Sequence, residues 1–174
     1  SLWRKAHYLG KFCYVRSYGG HGRSRHWPGR RSDCSALTMS ATAMAPLMYG
    51  GIPVFADIED ETFCIDPVQV KTNITPKTRA IIAVNLFGHP ARLKELRKIA
   101  DENGLFLIED NAQSPLGHEN GTPCGTIGHI GIFSLNFHKH IHTGEGGMCT
   151  TNDDDLAKRL QLIPAPRWEP VNLL

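Results

Sequence analysis

At 174 residues the chain is long enough for one ordinary domain with a real core. Hydrophobic residues make up 41% and charged residues 21%, a globular balance in which no apolar run reaches membrane-spanning length. The net charge of +2 is unevenly spread, with eight of the 19 Lys and Arg but only one of the 17 acids in residues 1–34.

Residues 1–34 are therefore set apart as a basic segment ahead of a mildly acidic body. Such a segment reads as a nucleic-acid or anionic-surface arm, or as an Arg-rich, acid-poor targeting stretch. No continuous apolar h-region of a secretory signal is present. The five cysteines are odd in number and form no CxxC pair. Neither a zinc site nor a disulfide framework is indicated, and a reducing, cytoplasmic setting is expected.

In chain order, residues 1–15 suit a short amphipathic helix, and residues 16–34, rich in Gly, Arg and His, have no period. Regular patterning starts at Ser35. A small-residue helix is expected over 38–48, stopped by Gly50-Gly51, and a buried strand over 52–58. Asp66 and Pro67 open the next helix as N-cap and first helical residue. Residues 79–87 (RAIIAVNLF) form a nearly continuous apolar strand, of the kind buried on both faces of a parallel sheet. A helix follows over 90–103, with Gly104 as its C-cap. The next strand, 105–108, runs into Glu109-Asp110, and two more strands are expected over 129–135 and 147–151. The helix over 153–163 starts with acids and continues with basic residues, matching its dipole. The tail, 164–174, has three prolines and no period. Strands alternating with helices of about a dozen residues predict an α/β fold, three layers deep, with a mostly parallel sheet. Ligands in such sheets bind at the carboxyl ends of the strands, where Asp110, Ser134 and Lys139 all fall.

The chemistry gathers in SLNFHKHIHTGEGG, residues 134–147, where Lys139 stands among His138, His140 and His142. A lysine desolvated near a buried strand becomes a better nucleophile, although a lysine in this place is also what a solvated loop presents. The three histidines read as polar lining of a site or as surface loop, and no further ligands converge to make them a metal centre. An apolar strand ending in a carboxylate (LFLIEDNAQ) and a second strand followed by a lysine (IGIFSLNFHK) are the parts needed to hold pyridoxal phosphate. That cofactor requires an amine for its aldehyde, a buried carboxylate for its pyridine nitrogen, and hydroxyl and N–H donors for its phosphate.

With PVFADIEDETFCIDP, TPKTRAIIAVNLFGHPA, GLFLIEDNAQ and GTIGHIGIFSLNFHKHIHTGEGGMCTTND in this order, the chain resembles the DegT/DnrJ/EryC1/StrS family of sugar-nucleotide aminotransferases. These have the aspartate-aminotransferase fold, and the resemblance covers residues 35–163, an incomplete large domain. It implies that Lys139 bonds the cofactor and carries protons, and that Asp110 pairs with the pyridine nitrogen. It places Gln113 against the ring hydroxyl and Ser134 on the phosphate. Met39, in TMSAT, takes the place of an aromatic ring usually laid over the cofactor, and its polarizable sulfur can pack there. One family branch replaces the lysine with histidine and dehydrates sugars, so the retained Lys139 implies amino transfer. The implied partners are a keto sugar nucleotide, an amino-acid donor such as glutamate, and a second copy of the chain in a homodimer.

Residues 1–34 and 164–174 lie outside that resemblance. Read one base on, however, codons for residues 25–34 (RHWPGRRSDC) can encode Gly-Ile-Gly-Pro-Gly-Asp-Glu-Val-Ile. This resembles the family's phrase before the Thr38 segment. Residues 16–34 and 164–174 are accordingly expected to be out-of-frame translation. The alternatives to an active aminotransferase are a catalytically incompetent fragment of one and, less favoured, a nucleic-acid binder using its basic arm.

Overall fold

The computed structural model describes residues 7–8 and 29–161. Nine strands and four helices are described: β1 (His7–Tyr8), β2 (Arg31–Ser35), α1 (Ala41–Leu47), β3 (Ile52–Ala56), α2 (Pro67–Asn73), β4 (Thr78–Val84), α3 (Leu93–Asn103), β5 (Phe106–Asp110), β6 (His118–Glu119), β7 (Thr122–Pro123), β8 (Ile130–Ser134), β9 (Gly147–Thr150) and α4 (Asp154–Gln161). Seven of the strands form one sheet in the order β1-β9-β8-β5-β4-β2-β3. The pairings from β3 through β8 are parallel, and β9 runs antiparallel to both its neighbours.

Alternation along the strands divides the core in two. Ile81, Ala83 and Leu107 pack with Val70, Leu93, Leu96 and Ile99 of α2 and α3. Ala80, Ile82 and Ile108 pack with Ala45, Leu156 and Leu160 of α1 and α4. Helices thus cover both faces, giving the three-layer α/β/α arrangement. The local signals act where the chemistry requires. Asp66 accepts the Val68 N–H at 2.8 Å ahead of Pro67, Gly104 ends α3 in the left-handed conformation at φ 63°, and Asp153 caps α4 through the N–H groups of Asp155 and Leu156.

Several elements differ from the sequence expectation. His7 and Tyr8 form a strand on β9 rather than part of a helix, because the unpaired edge of β9 offers backbone partners there. Residues 85–87 (Asn-Leu-Phe), expected to continue the strand, leave the sheet as a turn in which Phe87 has φ 54°. β2 lies where no strand is expected. Its sequence, RSDCS, is polar, yet it sits between β3 and β4 with Ser32 and Asp33 fully buried. It straddles the boundary expected at residue 35. Cys34, Cys64 and Cys124 are free and buried, whereas Cys149 is disulfide-bonded; spacing along the chain carries no information about a contact made across the fold. The tail from residue 164 and most of the basic segment lie outside the described residues.

Candidate functional site

The carboxyl ends of β4, β5 and β8 stand side by side, with Val84 level with Asp110 and Asp110 level with Ile132. Asp110 is 6% exposed. Its Oδ1 accepts the Ala112 N–H at 2.9 Å, so the carboxylate also turns the chain leaving β5. Three residues on, the Gln113 Oε1 accepts the Phe87 N–H at 2.8 Å, tying together the loops after β4 and β5. That bond uses the carbonyl end of the amide and leaves its NH2 as the donor end.

Two buried asparagines pin the same loops. Asn85 donates through Nδ2 to Asn111 Oδ1 at 2.6 Å, and its Oδ1 accepts the Ala91 N–H at 2.8 Å. Both are essentially inaccessible. Asn85→Ala strips partners from two buried groups and is expected to cost roughly 2–4 kcal/mol. Its urea midpoint should fall without a change in m; an unchanged midpoint would show the pair to be dispensable.

The neighbour of Asp110 on β5 points the other way. Glu109 is fully buried, and its carboxylate takes the N–H groups of Gly125 at 2.5 Å, Ile127 at 2.9 Å and Gly128. Burial pushes its pKa up and the three N–H groups oppose that shift. Gly125 adopts φ 87°, and a Cβ there would run into the Phe133 ring, so the loop closes on Glu109 only with glycine at this position. This cradle fixes the entry to β8, whose far end carries Ser134.

Ser134 is half-buried and accepts the Asn136 N–H at 3.4 Å. The following loop is closed at its base, where Leu135 N donates to Gly146 O and Thr143 N to Leu135 O, and by Asn136 Nδ2 donating to Glu145 at 3.0 Å. Lys139 lies inside it, half-buried, on a turn closed by its N–H to Asn136 O at 2.9 Å. It is thus on a turn beyond β8 rather than at the strand end. Asn136 Oδ1 is a buried acceptor with no hydrogen-bond partner among the described residues. His138, His140 and His142 are all exposed, and no metal-binding cluster exists among the described residues. Met39 is 66% exposed just before α1.

Asp110, Gln113, Ser134 and Lys139 therefore stand on or just beyond two adjacent strand ends, while Met39 follows β2, two strands from β5. Asn85, Asn111 and Glu109 were not singled out by sequence reasoning. Buried polar residues closing an apolar strand are the only signal that points to them.

A model of the DegT/DnrJ/EryC1/StrS aminotransferase family matches residues 34–166. The L-glutamine:2-deoxy-scyllo-inosose aminotransferase of Streptomyces kanamyceticus is 40% identical over 129 residues, 74% of this chain and 30% of its own. GDP-perosamine synthase of Caulobacter vibrioides is 36% identical over 143 residues, 82% of this chain and 38% of its own. NtdA from Bacillus subtilis, solved with bound cofactor PMP, superposes with a TM-score of 0.76 at 30% identity, over 89% of this chain and 35% of that one. The chain spans about a third of the length of the curated relatives it matches.

Proposed function

Because the chain belongs to the DegT/DnrJ/EryC1/StrS aminotransferase family, we propose that it carries the cofactor half of an aminotransferase that aminates a keto sugar nucleotide. The reading is supported above all by one placement: Asp110 closes β5 beside β8, whose end leads into Ser134 and Lys139. Pyridoxal phosphate, when bound, supplies an electron sink for the pair released when a proton leaves the carbon bearing the amine.

The donor set fits that group. The Lys139 amine would hold the aldehyde carbon of that group and, when free of it, would take and return a proton at Nζ. The Asp110 carboxylate would hold the pyridine nitrogen protonated from its buried strand end. Gln113 offers its NH2 to the ring oxygen, its carbonyl already engaged by Phe87. The Ser134 hydroxyl serves the phosphate, and Asn136 Oδ1 is a buried acceptor awaiting a donor in the same turn. Met39 lies before α1 as the sulfur-bearing cover of the ring.

The retained lysine supports amino transfer over dehydration. The donor is an amino acid, glutamate or glutamine, the latter named for the Streptomyces relative. A ring ketone is the acceptor, and the GDP-perosamine relative supports a nucleotide-linked one. A homodimer and a cytoplasmic setting belong to the same proposal; three of the four described cysteines are free.

The test is covalent mapping. After incubation with pyridoxal phosphate and borohydride reduction, the pyridoxyl mass is expected on the Lys139 peptide. A label spread over exposed Lys71, Lys98 and Lys158, with Lys139 unmarked, overturns the assignment. A second reading is a large-domain piece without catalytic competence. It predicts a Lys139 label but no amine transfer from glutamate or glutamine.

A further inference from the structure

The sheet contains one strand whose chemistry contradicts its position. β2 is paired on both sides, by β3 over residues 31–35 and by β4 over residues 31–34. Asp33 stands level with Val54 and Ile81, on the face that packs against α2 and α3. Cys34 stands level with Ile82 on the opposite face. Both oxygens of Asp33 and the hydroxyl of Ser32 are buried with no hydrogen-bond partner among the described residues. Other buried polar side chains among the described residues are met, Glu109 by three N–H groups and Asn85 by Asn111 and the Ala91 N–H, and beyond β2 the one further unmet buried atom is Asn136 Oδ1. An interior strand of a parallel sheet calls for Val and Ile, because both of its faces are covered. Unpaired buried polar groups are otherwise rare and costly.

The genetic code connects these positions to a second reading. Asp is encoded by GA followed by a pyrimidine, and Cys by TG followed by a pyrimidine. Moved one base on, the Asp33 codon can encode only Ile or Thr, and the Cys34 codon, followed by Ser35, only Val or Ala. Ser32 written AGT gives Val. The single Trp codon at residue 27 gives Gly whatever the other choices. Thus at the residues where the fold lacks β-branched apolar side chains, the shifted frame can encode Val-Ile-Val.

We propose that β2 is translated one base out of frame, and that the strand around which this sheet is built reads Glu-Val-Ile-Val over residues 31–34. The return to the proper frame lies at Ser35, where β2 ends and regular apolar patterning begins. The inference concerns the fold and stands whether or not the catalytic reading holds.

Two measurements test it, and each can overturn it. In the gene, codons 32–34 are expected to be AGT GAT TGT; any set that does not read Val-Ile-Val one base on overturns the proposal. In the protein, Ser32→Val/Asp33→Ile/Cys34→Val is expected to raise the folding equilibrium constant at neutral pH by roughly tenfold or more. Asp33→Val, the smaller β-branched apolar replacement, is expected to shift it in the same direction. Unchanged or weaker folding in both variants means that the polar strand is native to the sheet, and the proposal fails.

Discussion

Glu109→Ala is expected to abolish cooperative folding. Among the described residues the carboxylate is the sole hydrogen-bond partner of the N–H groups of Gly125, Ile127 and Gly128, and Glu109 itself is fully buried. Each orphaned buried N–H costs about 1–3 kcal/mol, roughly 3–9 kcal/mol together, against a total stability of about 5–15 kcal/mol for an ordinary domain. Glu109→Gln is expected to fall between, since its amide oxygen still accepts while its NH2 is turned toward N–H donors. The ordering wild type, Gln, Ala should appear in urea unfolding followed by circular dichroism. An Ala variant within ~0.5 kcal/mol of wild type, the range of ordinary surface substitutions, would show that the cradle contributes nothing. Loss of the cradle also releases the entry to β8, so Ser134 and Lys139 should lose their setting with it.

Stability should fall as pH rises from about 4 to about 6, a trend set by Asp33. Burial raises its pKa from 3.8 to about 6, with Arg31 on the same strand opposing the shift. Below the unfolded value both states are protonated and the group costs nothing extra. Between the two values the unfolded chain releases a proton that the folded chain keeps, so the unfolded state gains. Above the folded value both are ionised and the loss is complete, on the order of 3 kcal/mol at 1.36 kcal/mol per unit. His129 acts in the opposite sense. Burial lowers its pKa first, then Arg97, with Asp101 and Asp153 opposing, and its Nδ1 accepts the Leu107 N–H at 2.9 Å. Its contribution is lost as pH falls through the ordinary histidine range. The measurement is therefore the difference between wild type and Asp33→Asn across that window. If the two profiles run parallel, Asp33 does not titrate between the folded and unfolded states.

Much of the fold was legible locally. The cap at Asp66-Pro67, the stop at Gly104 and the acid-first helix from Asp154 act within a few residues of themselves. The order of apolar runs named most of the strands, and the carboxyl-end rule brought Asp110 and Ser134 to strand ends. What escaped depends on neighbours far along the chain. Asn85 and Asn111 satisfy each other over 26 residues, and the acceptors at Glu109 are met by donors 16 to 19 residues away. Phe87 reads as strand and turns out of the sheet because Gln113 takes its N–H.

The sequence by itself determined the alternation of elements, the family, and the residues standing at the ends of β5 and β8, since periodicity, capping and motif order are written in consecutive residues. Only the tertiary structure decided the strand order, the loops pinned by buried amides and carboxylate, and the interior place of β2. No local preference would put Ser32 and Asp33 in a sheet's interior; they lie there because β3 and β4, far apart in sequence, pair on either side of them.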